Sequence, residues 1–303
     1  MMGFAAEVNM AGTWFYCALA LLSACSWAVG AVLWRKLGEH LSSYAMNLAK
    51  TALGSLFLGA FLLLAGMEPI SARDLLYLAL SGIVGIAIGD TFFFLALMEL
   101  GPRRASLIGS LNPVAIAVTA VLLLGERPTA GTWIGIVATT IGVGWVLWER
   151  ASTSQGENNI PLGIRYGLLS VLCTAGAVIL AKVGVASVPA VHAAFIRLAA
   201  AAAGLVAWGA WRSTLAGSVV PFRKPDVVAK TAMVVVVVVA GGFWLSLVAL
   251  KHLDAALAGP LNSTAPLFIL PLSVIFLKER LSLRSIVGTV IAVCGVGLIL
   301  AGI

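Results

Sequence analysis

Ten long apolar runs constrain what this chain can fold into. Each run holds about the 20 mostly apolar residues that an α-helix needs to cross a bilayer. Hydrophobic residues make up 61% of the chain and charged residues 10%, whereas soluble domains average about 45–50% and about 25%. The sequence therefore predicts an all-α membrane protein with ten transmembrane helices. We place them at roughly 13–34, 44–66, 74–98, 103–124, 130–149, 162–182, 190–211, 227–250, 254–277 and 284–302.

Several functional classes lack their sequence signatures. The four cysteines lie inside apolar runs without zinc-type spacing, so we expect neither a disulfide framework nor a metal site. The sequence contains no HExxH, GxSxG or Walker A motif, which argues against an enzyme with a catalytic residue or a bound cofactor. The N-terminal "MMGFAAEVNMAGT" lacks the basic region of a cleavable signal. The net charge of +7 comes mostly from short loops between apolar runs, so we expect no nucleic-acid partner.

The second half of the chain repeats the first at an offset of 153 residues. Proline, glycine and adjacent Glu-Arg matches in register are much less common by chance than Leu or Ala matches. The sequence predicts two five-helix units, 1–150 and 151–303, joined at the polar stretch "ERASTSQGENNIP". Five is an odd number, so the second unit should be inverted in the bilayer. The aligned pairs include Pro113 with Pro266, Glu126-Arg127 with Glu279-Arg280, and Gly142-Val143-Gly144 with Gly295-Val296-Gly297.

Lysine and arginine residues indicate the orientation. Of the 19 basic residues, thirteen lie in loops or span ends that follow odd-numbered spans, and four follow even-numbered spans. The remaining two, Lys50 and Arg197, lie within spans. Cytoplasmic loops carry the excess of basic residues, so both termini should be non-cytoplasmic in a multi-pass protein of the inner (plasma) membrane.

Four motifs identify a known family. They are "SWAVGAVLWRKL" with Trp27, the basic residues Lys50 and Arg197 in the second helix of each half, the helices begun by Pro113 and Pro266, and the "LGER" and "LKER" endings before a glycine-rich helix. With these motifs the chain resembles the EamA-type transporters of the drug/metabolite transporter superfamily. The resemblance implies ten helices in two inverted halves. It also implies transport of amino acids, nucleotide-linked sugars or other metabolites, without specifying which.

Charged residues inside the membrane are candidates for the binding site. A charge at the bilayer centre costs about 2.5–3.5 kcal/mol on insertion scales, so each one needs a reason. Lys50 and Arg197 could hold a substrate carboxylate, or they could reach the interface and helix-end carbonyls. Asp90 could bind a substrate amine or a coupling proton, or form a buried ion pair with either cation.

Polar and aromatic residues near the breaks in the helices complete the predicted site. Asn112 and Asn262 are predicted to bind substrate. Pro113 and Pro266 remove helical hydrogen bonds, and in lipid the freed carbonyls must face protein or a watered cavity. We expect these prolines to flex during gating, with a static kink as the alternative. Trp27 and Trp244 lie in mid-span and could stack on a substrate, although packing explains them equally.

The leading hypothesis is a secondary active transporter that exports a small polar metabolite, such as an amino acid or related carboxylate. Its halves would alternate access around a central site, with proton coupling as one mode. One alternative is an exporter of cationic drugs or quaternary amines that uses Asp90 and aromatic rings. Another is a membrane enzyme or scaffold without transport. The glycine-rich last helices could serve a homodimer or pack within one chain. We expect Glu126 and Arg127 to fasten the turn between spans four and five.

Overall fold

The computed structural model describes residues 2–37, 41–151, 159–265, 267–268 and 283–301. Within these ranges the chain is helical and contains no strand. The helices of the first half are α1 (Met2–Leu37), α2 (Ser43–Ala65), α3 (Ala72–Gly82), α4 (Asp90–Gly109), α5 (Asn112–Leu124) and α6 (Ala130–Ala151). Those of the second half are α7 (Ile160–Val185), α8 (Ala190–Trp211), α9 (Leu215–Val219), α10 (Pro225–Val236), α11 (Leu245–His252), α12 (Ala255–Asn262) and α13 (Leu283–Ala301).

The all-helical membrane class predicted from hydropathy is confirmed. Among the described residues, seven stretches are long and apolar enough to span a bilayer. Predicted spans five and ten correspond to shorter apolar helices, Ala130–Trp145 and Ile286–Ala301. Most of the second half of predicted span nine lies outside the described residues. The seven stretches are Gly12–Ala31, Tyr44–Ala65, Ala72–Leu100, Leu107–Leu124, Ile160–Val185, Ala190–Trp211 and Pro225–His252.

Local sequence explains where several helices begin and end. The Ser42 hydroxyl accepts a hydrogen bond from the Ala45 amide at 3.2 Å and so caps the start of α2. The side chain of Asn159 caps α7 in the same way. At the end of α5, Gly125 adopts the left-handed conformation with φ 70°, which glycine reaches without a Cβ clash. These caps allow short connections at the membrane surfaces.

Two π-helical segments interrupt the spans at related positions. One, π1 (Ile83–Gly89), lies between α3 and α4, and the other, π2 (Val237–Trp244), lies between α10 and α11. Turns also break the helices at Ser110–Leu111 and at Ser263–Thr264. Both kinds of irregularity recur about 153 residues apart, as the sequence repeat does. Because π-segments occur often at functional sites, the residues beside π1 and π2 are candidates for the functional site.

The helices of residues 1–150 pack against those of residues 151–303 in a recurring pattern. α1 lies along π2 and α11, while α7 lies along π1 and α4. α2 packs on α8, α5 on α12, and α6 on α13. The pairings are therefore reciprocal: α2, α5 and α6 each pack on their own counterpart, and the contact of α1 with π2 and α11 is matched by that of α7 with π1 and α4. The α2–α8 contact brings Lys50 and Arg197 to the same part of the bundle.

Glycines allow α6 and α13 to approach each other closely. A Cβ on Gly135 would lie 2.6 Å from the carbonyl oxygen of Gly295, and one on Gly142 would lie 2.6 Å from that of Gly288. Contacts this short exclude any side chain at these positions. Packing within one chain therefore accounts for Gly135 and Gly142. A homodimer through the same helices stays a prediction.

Candidate functional site

An ion pair lies where α2 meets the start of α4. The Nζ atom of Lys50 is 3.0 Å from Oδ2 of Asp90. The Lys50 side chain is 12% exposed and that of Asp90 is 35% exposed, so the carboxylate is the more accessible partner. Asp90 is the first residue after π1, which ends at Gly89 and sets the direction in which α4 leaves. The structure thus brings together two of the predicted site residues.

Arg197 joins this pair from α8. It lies near enough to Asp90 for their charges to interact. Its Nε atom is buried and has no hydrogen-bond partner among the described residues. Gly82 permits this arrangement, because a Cβ there would overlap the backbone carbonyl of Arg197. Asp90 therefore forms an ion pair with Lys50 and interacts with the charge of Arg197 at longer range. The cluster of Lys50, Asp90 and Arg197, here called the charge centre, contains two cations and one carboxylate.

The aromatic ring of Phe243 lies next to the Lys50 ammonium. The Lys50 Nζ atom lies 5.7 Å from the ring centroid, within the range of a cation–π interaction. Trp27 meets Phe243 edge to face, with ring centroids 4.8 Å apart. Trp27 therefore approaches the charge centre through Phe243. Sequence reasoning missed Phe243, although the 153-residue offset places it at the position of Asp90 in the other half.

Asn47 is a second residue that sequence reasoning missed. It is buried on α2, one turn before Lys50, and its Nδ2 atom donates to the Ile86 carbonyl at 3.2 Å. Ile86 belongs to π1, so Asn47 links α2 to the segment that carries Asp90. Its Oδ1 atom is buried without a partner among the described residues. The spacing of three residues from Lys50 could have identified it, because such residues share a helix face.

Asn112 and Asn262 lie on a different pair of helices. The Oδ1 atom of each is buried and has no partner within the described part of the chain. α5 and α12 run antiparallel and meet where Gly259 contacts Ile116. The two asparagines lie about one helical turn beyond that contact, on the same side of it. No hydrogen bond joins either of them to the charge centre among the described residues.

The remaining predicted site residues are placed separately. Trp244 ends π2 with 40% of its surface exposed, and the described residues include no ring contact between it and Lys50. Pro113 is buried in the first turn of α5, directly after the helix break at Ser110–Leu111. Pro266 lies outside the described residues.

A cavity of about 820 Å³ opens between α2, α4 and the C-terminal part of α8. Its wall includes Asn47, and also Thr91, which follows Asp90 in the chain. Tyr44, Phe94 and Trp208 give it aromatic surfaces. The cavity therefore extends from the bundle end near Ser42, here called the cavity end, toward the charge centre.

Arg212 stands at the mouth of this cavity. Its guanidinium lies 5.3 Å from the ring centroid of Trp208 and 5.6 Å from that of Trp211. Thr214 and Ser218 add hydroxyl groups to the same wall. The mouth thus combines a cation, aromatic faces and hydrogen-bonding groups.

The opposite end of the bundle is held by Glu126. Its Oε1 and Oε2 atoms accept hydrogen bonds from the amides of Ala255 and Ala256, each at 2.8 Å. The expectation that Glu126 fastens the turn between spans four and five is therefore wrong. Its partners are the first amides of α12, about 130 residues away. We call this the capped end.

Further contacts join the helices at the capped end. The Lys182 Nζ atom donates to the carbonyls of Leu250 and Leu253 at 2.8 and 2.6 Å. The Lys251 Nζ atom donates to the Val188 carbonyl at 3.0 Å, just before α8 begins. Because α8 starts here and has 22 residues, about 33 Å of helix, its other end lies across the bundle at the cavity end.

Comparisons with known proteins agree with this architecture. A sequence profile described as "EamA-like transporter family" matches residues 14–148 and 161–301. An "Uncharacterized transporter" of Archaeoglobus fulgidus is 23% identical over 286 residues, covering 93% of this chain and 96% of that protein. An "Uncharacterized transporter" of Clostridium kluyveri is 29% identical over 126 residues, covering 41% of this chain and 40% of that protein. A solved structure described as "Crystal structure of protein" shares the fold with a TM-score of 0.73 and 19% identity, covering 93% of this chain and 97% of the other.

Proposed function

This chain belongs to the EamA-like transporter family, and we propose that it is a secondary active transporter that exports a small polar metabolite. Amino acids and related carboxylates are the proposed substrate class. Transport proceeds by alternating access around a site near the membrane midplane. The charge centre is the observation that carries this proposal.

The charges favour an anionic group on the substrate. The charge centre has two cations, Lys50 and Arg197, for the single carboxylate of Asp90, so a substrate carboxylate would balance its charge. The buried Nε atom of Arg197 supplies a donor without a partner among the described residues. Asp90, the more exposed partner, can accept a substrate amine or a coupling proton. A zwitterionic amino acid matches both signs of charge.

We further propose that residues 1–150 and 151–303 form two inverted five-helix repeats. The recurrence of the π-segments and of the turns at Ser110 and Ser263 supports this organisation. The reciprocal pairing of helices, α1 with π2 and α7 with π1, supports it as well. Asn112 and Asn262 lie where α5 meets α12, and these helices belong to the fourth span of each proposed repeat. Their unpartnered oxygens there support a role in substrate binding.

The cavity end is proposed to face the cytoplasm of a plasma-membrane protein. Arg212, Arg223 and Lys224 lie at this end, after α8, as the positive-inside rule requires. Both termini are then non-cytoplasmic. A cavity open to the cytoplasm and closed at the capped end is the state in which an exporter loads its substrate.

The aromatic cavity wall favours a second candidate, export of cationic drugs or quaternary amines. Tyr44, Phe94 and Trp208 line the cavity beside the partly exposed Asp90. Aromatic faces attract cations, by about 0.5–1 kcal/mol at exposed sites. The net positive charge of the charge centre opposes this candidate.

Counterflow in proteoliposomes tests the proposal. A panel of labelled amino acids, organic acids and quaternary amines is offered to the reconstituted protein. We expect flux for compounds that carry a carboxylate. Arg197→Gln should raise their half-saturation concentration by roughly tenfold or more, because charge-assisted hydrogen bonds contribute about 1.5–3 kcal/mol.

Lys230→Gln is the matched control. Lys230 is an exposed cation paired with Asp226 at 3.8 Å, far from the charge centre in the chain. It should leave the half-saturation concentration unchanged. Flux of quaternary amines alone would favour the second candidate. No flux for any compound by a monodisperse protein would count against the substrate class.

A further inference from the structure

We propose that Glu126 is a gating residue that keeps the capped end closed. Its carboxylate caps α12 across the two halves of the chain and releases it each time the protein opens at that end. This inference rests on the proposed alternating access, and it assigns to the acidic residue of the "LGER" motif a role that local pairing does not explain.

The first turn of α12 depends on Glu126. The first amides of any helix have no partner within the helix. Asp254 precedes α12, but its side chain makes no capping hydrogen bond. Glu126 instead binds the amides of Ala255 and Ala256 with both carboxylate oxygens. A carboxylate at the positive end of a helix forms short, charge-assisted hydrogen bonds, so this cap is a strong contact.

The backbone at the end of α5 directs Glu126 toward α12. Gly125 is left-handed, with φ 70°, which turns the chain out of the helix. α5 and α12 also pack closely, since a Cβ on Gly259 would lie 2.5 Å from Cγ2 of Ile116. The Glu126 cap therefore adds to the existing packing of α5 against α12. It connects the two helices at the membrane-surface end of their contact.

The hydrogen bonds of Lys182 differ from those of Glu126 in whether they join the two halves of the chain. It donates to the last carbonyls around α11, at Leu250 and Leu253, just before α12 begins. Lys182, α11 and α12 all belong to residues 151–303 and can move as one unit. Glu126 belongs to residues 1–150. When the halves separate at this end, the Lys182 bonds can remain and the Glu126 bonds cannot.

Among the described residues, the other hydrogen bonds and ring contacts between the halves at this end are weaker. Ser187 donates to Asp74 at 2.6 Å, but both residues are at the exposed surface. The Glu68 amide donates to Nε2 of His192 at 3.1 Å, and Tyr16 stacks on the exposed ring of His252. Glu126 accepts two charge-assisted hydrogen bonds from the start of a helix, and none of these other contacts does so.

The test measures access to both ends at once. Ala258→Cys reports on the capped end, because Ala258 lies in the first turn of α12 and is 0% exposed. Thr91→Cys reports on the cavity, whose wall it lines. Each is made in a protein whose four native cysteines are replaced by alanine. The reaction rate with a membrane-impermeant maleimide is measured in lipid nanodiscs, which leave both faces accessible.

Glu126→Gln should change the two rates in opposite directions. We expect the rate at Ala258→Cys to rise about tenfold, which corresponds to about 1.4 kcal/mol in the opening equilibrium. The rate at Thr91→Cys should fall, because alternating access closes one end as the other opens. Asp226→Asn, which removes an exposed carboxylate from the first turn of α10, should change neither rate.

Two results would overturn the assignment. Unchanged rates would mean that Glu126 does not control opening, and a rise at both reporters would mean that its loss only loosens the structure. If Glu126→Gln is not monodisperse, the same rates are measured on Glu126→Asp, whose shorter side chain cannot reach both amides. The assay needs no substrate. If no compound in the counterflow panel is transported, the proposed substrate class is rejected. The labelling rates of the Glu126 variants can still be interpreted in that case.

Discussion

Thr139 and Ala292 are in direct contact, the Thr139 hydroxyl donating to the Ala292 carbonyl at 3.5 Å across a separation of 153 residues. This separation equals the repeat offset, so each residue is the counterpart of the other. Around them, Gly135 faces Gly295 and Gly142 faces Gly288, which are again exchanged counterparts. These exchanged contacts bring the backbones of α6 and α13 together at their glycines.

Gly142→Ala should destabilise the protein, whereas Gly297→Ala should not. A Cβ at residue 142 would press on the backbone of α13, and backbone cannot move aside as a side chain can. A Cβ at residue 297 would meet no atom within 4 Å among the described residues. Overpacking of this kind costs about 1–3 kcal/mol. The thermal midpoint in detergent, measured on both variants, checks the difference. Equal midpoints would contradict the close α6–α13 contact.

Lys50 and Asp90 should behave as an energetically coupled pair. Lys50→Met leaves Asp90 with Arg197 as its only cation, Asp90→Asn leaves two cations without a carboxylate, and the double variant leaves Arg197 as a single cation. Residues in one ion-pair network show coupling energies of about 0.5–3 kcal/mol. We expect the double variant to lose less stability than the two single variants combined. Additive losses in denaturation experiments would show that the pair contributes nothing.

Phe243→Leu should weaken substrate binding more than Trp244→Leu does. Phe243 is buried with its ring over the Lys50 ammonium, whereas Trp244 is 40% exposed and has no described contact with it. Leucine preserves the apolar volume but removes the cation–π interaction of about 0.5–2 kcal/mol. The half-saturation concentration of a transported carboxylate should rise several-fold for Phe243→Leu. A larger effect from Trp244→Leu would return Trp244 to the binding site.

Gly125→Ala should weaken the capped end. The left-handed φ of 70° at this position strains any residue with a Cβ, by about 1–2 kcal/mol. Relief of the strain would move Glu126 away from the amides of Ala255 and Ala256. Gly217→Ala is the control, because a Cβ at residue 217 meets nothing within 4 Å among the described residues. Maleimide labelling of Ala258→Cys should accelerate in the first variant and stay constant in the second.

The two ends of the bundle should be labelled from opposite sides of the membrane. Ser218→Cys, at the cavity mouth, should react with an impermeant maleimide in inverted vesicles only. Met67→Cys, in the exposed connection after α2, should react in right-side-out cells only. This outcome follows from the excess of basic residues at the cavity end. The reverse pattern would place the termini in the cytoplasm.

Part of the site could be found from sequence because a charge in an apolar run is visible without any fold. Lys50, Asp90 and Arg197 were found in this way, and their contact with substrate stays a prediction. Phe243 and Asn47 were not found, since a phenylalanine or an asparagine in a membrane helix has many ordinary roles. Only the packing of π2 places Phe243 beside Lys50, and only that of π1 shows that Asn47 bonds to the segment that carries Asp90.

The sequence alone determined the helical membrane class and the existence of a repeat. Span length is set by bilayer thickness, and proline, glycine and Glu-Arg spacings can be read along one dimension. The tertiary structure decided which residues meet. From sequence, Glu126 lies beside Arg127 at the end of a span and suggests a local contact. In the structure its partners are amides at the start of α12. Such contacts depend on how helices far apart in sequence are rotated and shifted against one another, which no local pattern records.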